Sequence, residues 1–148
     1  MSKPPKSDLS FSDVPLDDRA VIRLALQGLM EKQPPFALNK MMEEWEDEPE
    51  FLTRMLGIFI RDTQIDIDTI ALEFAAFDHE KMARTAHRLK GAAAALGADA
   101  IREQAALLES MGRKGELKDA DACIGKLRTE FERFVDCLSG IPLSQGTT

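Results

Sequence analysis

Between Pro49 and Phe77 the side chains Leu52, Leu56, Phe59, Thr63, Ile67, Ile70, Phe74 and Phe77 recur at alternating spacings of three and four residues. On a helix turning about 100° per residue, that spacing draws all eight into one seam. A long helix with so continuous an apolar seam has to bury it against partner helices. The rest of the chain supplies partners. Asp78 is placed to cap a helix running to Leu96, which Gly97 ends as a residue tolerant of positive φ. A further helix starts near Asp99, carries Ile101, Ala105 and Leu108 on one face, and is expected to stop at Gly112, with Arg113-Lys114-Gly115 as a turn. The last is expected from about Leu117 to Leu138, with Ala120, Ile124, Leu127, Phe131, Phe134 and Leu138 as its stripe.

Four such helices joined by short links must be antiparallel neighbours, which predicts an all-α, up-down-up-down four-helix bundle. Ahead of it, Val21, Ile22, Leu24, Leu26, Leu29 and Met30 recur at near-helical spacing, giving an additional N-terminal amphipathic helix over about Leu16 to Lys32. Pro34-Pro35 stops it. A short helical segment, about Ala37 to Glu46, then brings Leu38, Met41, Met42 and Trp45 to one side. The expected organisation is a flexible tail over residues 1–16, an accessory helix and Pro-Pro break over 17–35, the bundle over 36–139, and a frayed end over 140–148. The 148 residues, 44% hydrophobic and 30% charged, suit one soluble domain and leave no room for a second catalytic one.

A formal net charge of -7 disfavours nucleic acid as a partner. No apolar run is long enough to span a membrane, and the start lacks the apolar core of a signal peptide, so a cytoplasmic protein is expected. Cys123 and Cys137 lie in one helical pattern about 21 Å apart, far beyond disulfide reach, and read as small core residues. Against the acidic total, the stretch from Lys81 to Lys90 carries Lys81, Arg84, Arg88 and Lys90 without an acidic residue. The local field is therefore expected to be positive.

On a helical wheel for residues 78–96, Met82, Ala86, Leu89, Ala93 and Leu96 cluster on the core side, and His87 falls about 140° away. Its wheel neighbours are Ala83 and Arg84 one turn before, and Lys90, Gly91 and Ala94 after. An exposed imidazole, with an ordinary pKa of about 6.5, is largely neutral at cytoplasmic pH, so one ring nitrogen keeps a lone pair for attack on phosphorus. Lys90, three residues on, can swing over the ring to pair with a tetrahedral dianion. Gly91 in mid-helix costs about 1 kcal/mol relative to Ala, and removing a Cβ beside the imidazole lets another backbone approach.

The run Ala86-His87-Arg88-Leu89-Lys90-Gly91, continued by Ala92 to Ala95, Leu96, Gly97 and Ala98, resembles the histidine-containing phosphotransfer (HPt) family. Its signature is an exposed histidine with a basic residue three positions on and a glycine four positions on. The resemblance spans about Met41 to Leu138. It implies phosphoryl shuttling between receiver-domain aspartates, or from a hybrid histidine kinase to a response regulator, with His87 as the phosphoacceptor through Nε2. Lys90 would stabilise the phosphoryl oxygens and Gly91 would give clearance to the incoming receiver. Ala83, Arg84, Arg88 and Ala94 would form the surrounding contact surface. Glu109 matches the position from which a polar residue orients the imidazole, and Arg113 would add a further positive charge. The chain itself would bind no cofactor: Mg²⁺ would sit in the receiver's acidic pocket, since no carboxylate cluster is expected around the histidine.

Rival readings are weaker. A histidine kinase needs a nucleotide-binding domain, and no P-loop or Gly-rich ATP lid is present, so no ATP-dependent kinase activity is expected. His79 and His87, about 80° apart on a helix, make a poor metal pair, and His79 reads as a first-turn surface residue. A non-catalytic helical adaptor that binds receiver or kinase domains is the principal alternative, disfavoured by the presence of His87 itself. A monomer is expected.

Overall fold

The computed structural model describes residues 16–31 and 48–139. Five helices are described: α1 (Leu16–Glu31), α2 (Pro49–Ala75), α3 (His79–Ala95), α4 (Asp99–Lys114) and α5 (Ala120–Cys137). The expected segment Ala37 to Glu46 and the two tails lie outside the described residues. Helices α2 to α5 form a closed ring of antiparallel neighbours, each packing on the next and α5 returning to α2, while α1 leans on α2.

Each helix begins and ends for a local chemical reason. Pro49 opens α2 with its φ already helical and no N–H to satisfy, and Glu50 adds an acid to the first turn. The Asp78 carboxylate accepts from the Lys81 N–H at 3.2 Å and so caps α3. At the far end of α3, Gly97 takes φ 67°, with Gly97 N–H donating to Ala94 O and Ala98 N–H to Ala93 O, a Schellman closure. Gly115, at φ 68°, plays the same part after α4.

The core follows the predicted seam, with two differences. Leu52, Leu56, Phe59, Thr63, Ile67 and Ile70 are buried, joined by Met82, Leu89, Ile101, Leu108, Leu127 and Phe134 from the other helices. Phe59 and Phe134 lock α2 to α5 edge to face, their centroids 5.2 Å apart. Phe74 is only partly buried, and Phe77, expected to close the seam, is 80% exposed. The reason is that α2 ends at Ala75: Asp78 N–H turns back to Glu73 O and Phe77 N–H to Phe74 O, which puts Phe77 at the left-handed position with φ 56°. In α1, Ile22 is buried but Val21 and Leu24 face solvent, so the apolar stripe is narrower than its spacing implied.

A non-glycine residue with positive φ stores strain, and at 80% exposure Phe77 has little packing to offset it. Phe77→Gly is therefore expected to raise stability by about 1 kcal/mol. The urea midpoint of the variant against the wild type checks this.

The end of α4 also differs from expectation. Instead of stopping at Gly112, α4 runs on to Lys114, and Gly112 is buried inside it. A Cβ on Gly112 would lie 2.6 Å from His79 O, 2.8 Å from Ala83 Cβ and 3.0 Å from Ala83 N. The glycine is thus a contact point where α3 and α4 touch backbone to backbone, and the His79 ring adds a bond from Nδ1 to Gly112 O at 3.0 Å. Arg113 and Lys114 fall in the last turn, where cations suit the helix dipole. Helix α5 starts at Ala120 rather than Leu117, and its predicted stripe is buried throughout.

Candidate functional site

The close α3–α4 contact at Gly112 and Ala83 fixes what happens one turn away. Glu109, three residues before Gly112, faces α3, and its Oε2 accepts from His87 Nδ1 at 2.8 Å. The two partners differ sharply in environment: the His87 side chain is 62% exposed, whereas Glu109 is 6% exposed.

Two cations join Glu109. Lys90 Nζ pairs with Oε1 at 2.5 Å, and Arg113 donates to Oε2 through Nε at 3.0 Å and a terminal nitrogen at 2.7 Å. These partners divide the carboxylate: Oε1 holds Lys90, and Oε2 holds His87 and Arg113. The bond from Lys90, then those from Arg113 and His87, lower the Glu109 pKa from 4.5 to about 2, against the opposing effect of burial. A carboxylate so held is ionised throughout the neutral range and can only accept hydrogen bonds.

Linkage gives this a measurable sign. A group with a depressed folded pKa stabilises the fold above its unfolded pKa, and that contribution is lost as pH falls through the folded value. Stability attributable to Glu109 should be complete above about pH 4.5 and decline towards pH 2. Denaturant titrations of wild type and Glu109→Gln should differ most above this window and converge below it; parallel curves would mean that the carboxylate is not the responsive group.

Of the residues that the sequence singled out, the structure brings His87, Lys90, Glu109 and Arg113 together. Gly91 lies on the same exposed side, with nothing within 4 Å of a built Cβ, and Arg84 and Ala94 are exposed too. Ala83 is not part of that surface: it is 4% exposed and lies under Gly112. Because α3 packs between α2 and α4, its buried arc is wider than the stripe defined by Met82, Ala86, Leu89 and Ala93, and takes in Ala83 and Thr85.

Three of the four cations in the basic stretch face acids that lie outside it. Lys81 pairs with Asp78 at 3.8 Å, Lys90 with Glu109, and Arg88 with Asp66 of α2 at 2.6 Å. Arg88 therefore points towards α2, on the other side of α3 from Glu109. Asp66 was missed by sequence reasoning, though a signal existed: it lies three residues after Thr63 and four before Ile70, on the seam itself. An acid placed there needs a cation.

Among the described residues no group of three metal-ligating side chains is present, and no helix is long and apolar enough to cross a membrane.

Comparison with known proteins gives the arrangement its context. The Hpt domain family model matches residues 54–137, which include all four helices of the ring in whole or part and every residue of the His87 cluster. The chain belongs to the Hpt family. It is 20% identical over 110 residues to histidine-containing phosphotransfer protein 1 of Arabidopsis thaliana, spanning 73% of this chain and 70% of that protein. Among solved structures, it is similar to histidine-containing phosphotransfer protein B (HptB) from Pseudomonas aeruginosa PAO1, at a TM-score of 0.61 and 26% identity. That match covers 68% of this chain and 86% of the other. This Hpt domain has a phosphotransfer role in a phosphorelay. Hpt proteins are phosphotransfer intermediates, not kinases, and work with the receiver domains and kinases of two-component systems.

Proposed function

We propose that His87 is the phosphoacceptor of this Hpt domain, taking a phosphoryl group on Nε2 from the aspartyl phosphate of one receiver and passing it to another. The 2.8 Å bond from Nδ1 to Glu109 carries the reading. An ionised carboxylate cannot donate, so Nδ1 carries a proton, and in the neutral ring Nε2 keeps its lone pair, directed away from Glu109 on a largely exposed ring. In the transfer, the Nε2 lone pair forms the N–P bond as the P–O bond to the aspartyl carboxyl breaks and its electron pair leaves with the carboxylate. The Nδ1 proton stays in place. The positive charge that the ring acquires lies against Glu109, which favours the product electrostatically.

Lys90 is assigned to the phosphoryl oxygens, and Arg84, Ala94 and the exposed part of Arg88 to the rim of the receiver contact. Mg²⁺ is assigned to the receiver's acidic pocket, because Glu109, the carboxylate against His87, is already occupied by Lys90 and Arg113. No ATP-dependent activity of the isolated chain is proposed.

Gly91 gives the receiver clearance. Because a Cβ there meets nothing, Gly91→Ala should stabilise the helix by up to about 1 kcal/mol. It should also slow transfer from a receiver while leaving phosphorylation by phosphoramidate, a small donor, unchanged. Equal slowing with both donors would place the effect in the helix and not in docking.

The decisive experiment incubates the protein with a phosphorylated receiver and Mg²⁺ and looks for acid-labile, base-stable label, with the modified residue mapped by fragmentation mass spectrometry. Label on His87 supports the reading. Binding to receivers without label would leave a helical adaptor.

A further inference from the structure

Lys90 faces a conflict in the arrangement just described. Its ammonium is assigned to the phosphoryl group, yet in the structure it is held by Glu109 Oε1 at 2.5 Å, on a carboxylate that is 6% exposed. Removing the only cation from a buried carboxylate leaves an uncompensated charge and is strongly unfavourable. If Lys90 were the sole counter-ion, it could not leave. Arg113 changes that balance. It sits on the other oxygen, Oε2, through two nitrogens, and reaches there from the same helix, four residues on. With Lys90 gone, Glu109 would still hold Arg113 and the His87 N–H on Oε2.

We propose that Arg113 is a positioning residue that acts through Glu109 to release Lys90: it keeps the buried carboxylate compensated so that the Lys90 ammonium can exchange Oε1 for the phosphoryl oxygens as His87 is phosphorylated. This rests on His87 as phosphoacceptor and goes beyond it, because it assigns two positions to Lys90 and makes a residue on α4 set the equilibrium between them. Arg113 has the geometry for this part. Its side chain is 62% exposed, so it gives up little solvation, and its planar fork makes paired bonds that Lys90 cannot. Lys90 has the complementary geometry: a flexible stem with a compact charge, one turn along α3 from His87.

The test uses the full chain with phosphoramidate as donor, so that receiver docking plays no part. In that reaction the His87 Nε2 lone pair forms the N–P bond while the P–N bond of phosphoramidate breaks, its electron pair leaving with ammonia. Five proteins are compared: wild type, Arg113→Gln, Lys90→Gln, the double variant, and Arg113→Lys, which keeps the charge. Arg113→Gln should slow labelling about tenfold, and Arg113→Lys, which keeps the charge but loses the paired bonds, should restore only part of the rate. In the Lys90→Gln background the same change should cost less than about twofold, because the residue through which it acts is absent.

A second readout separates positioning from damage to the fold. The ¹⁵Nζ resonance of Lys90 should move on phosphorylation of the wild type and stay in place in phosphorylated Arg113→Gln. The His87 ¹⁵N shifts should report the Nδ1–H tautomer in both unphosphorylated proteins. An equal effect of Arg113→Gln with and without Lys90, no effect at all, or loss of the tautomer in Arg113→Gln would each overturn the proposal while His87 remains labelled. Label that survives in His87→Gln would instead sink the phosphoacceptor reading, and this inference with it.

Discussion

His87→Gln is expected to abolish acid-labile phosphorylation, from at least a hundredfold above background to none detectable, while leaving the fold intact. The two halves of that result have separate causes. Reactivity vanishes because a glutamine amide nitrogen has no available lone pair, and no other side chain in the cluster can replace the imidazole: Lys90 and Arg113 are cations, and Glu109 is held ionised and buried. Stability survives because His87 is largely exposed and gives the core a single hydrogen bond. A glutamine NH₂ can donate to Glu109 in its place, so the stability change should stay within about 1 kcal/mol. Label measured with a phosphorylated receiver, alongside a urea titration, reads both. A variant that unfolds would point to a structural histidine, and a folded variant that still takes label would move the phosphoacceptor elsewhere.

The second large effect lies outside the reactive cluster. Gly112→Ala should destabilise the protein by about 1–3 kcal/mol, because overpacking outweighs the roughly 1 kcal/mol of helix propensity gained by replacing glycine. The new methyl meets backbone, His79 O at 2.6 Å and Ala83 N at 3.0 Å, and backbone in two packed helices cannot rotate aside as a side chain could. Helix α4 must move away from α3, and Glu109, one turn earlier on α4, moves with it. Phosphotransfer should therefore fall along with stability. Restoring room with Ala83→Gly should recover only part of the loss, since it removes the 2.8 Å Cβ contact but leaves His79 O in place. Thermal melts of the single and double variants check this. Full recovery in the double variant would assign the clash to the Ala83 methyl alone.

These two residues mark how far the sequence could be read. His87, Lys90 and Gly91 were legible because their relation is local: three positions on one helix, whose solvent side is fixed by the apolar stripe opposite. Glu109 and Arg113 entered only through the family resemblance, since they lie on a different helix and no periodicity links them to His87. Gly112 was visible as a glycine but read as a helix stop, the commonest reason for a glycine near a helix end. Its real role depends on the distance between two helices, which no local pattern encodes.

The sequence by itself determined the four ring helices, the ends at Asp78 and Gly97 and most of the buried seam, because 3.6-residue periodicity and end-capping chemistry act over one or two turns. It also put the imidazole on the outside of α3. Only the tertiary structure decided the electrostatics around it. It placed Asp66 against Arg88 and closed Lys90, Arg113 and His87 around one buried carboxylate, turning a basic stretch into a set of paired charges. The physical reason is that the strength of a charge pair depends on distance and burial, and both are set by how closely α2, α3 and α4 pack.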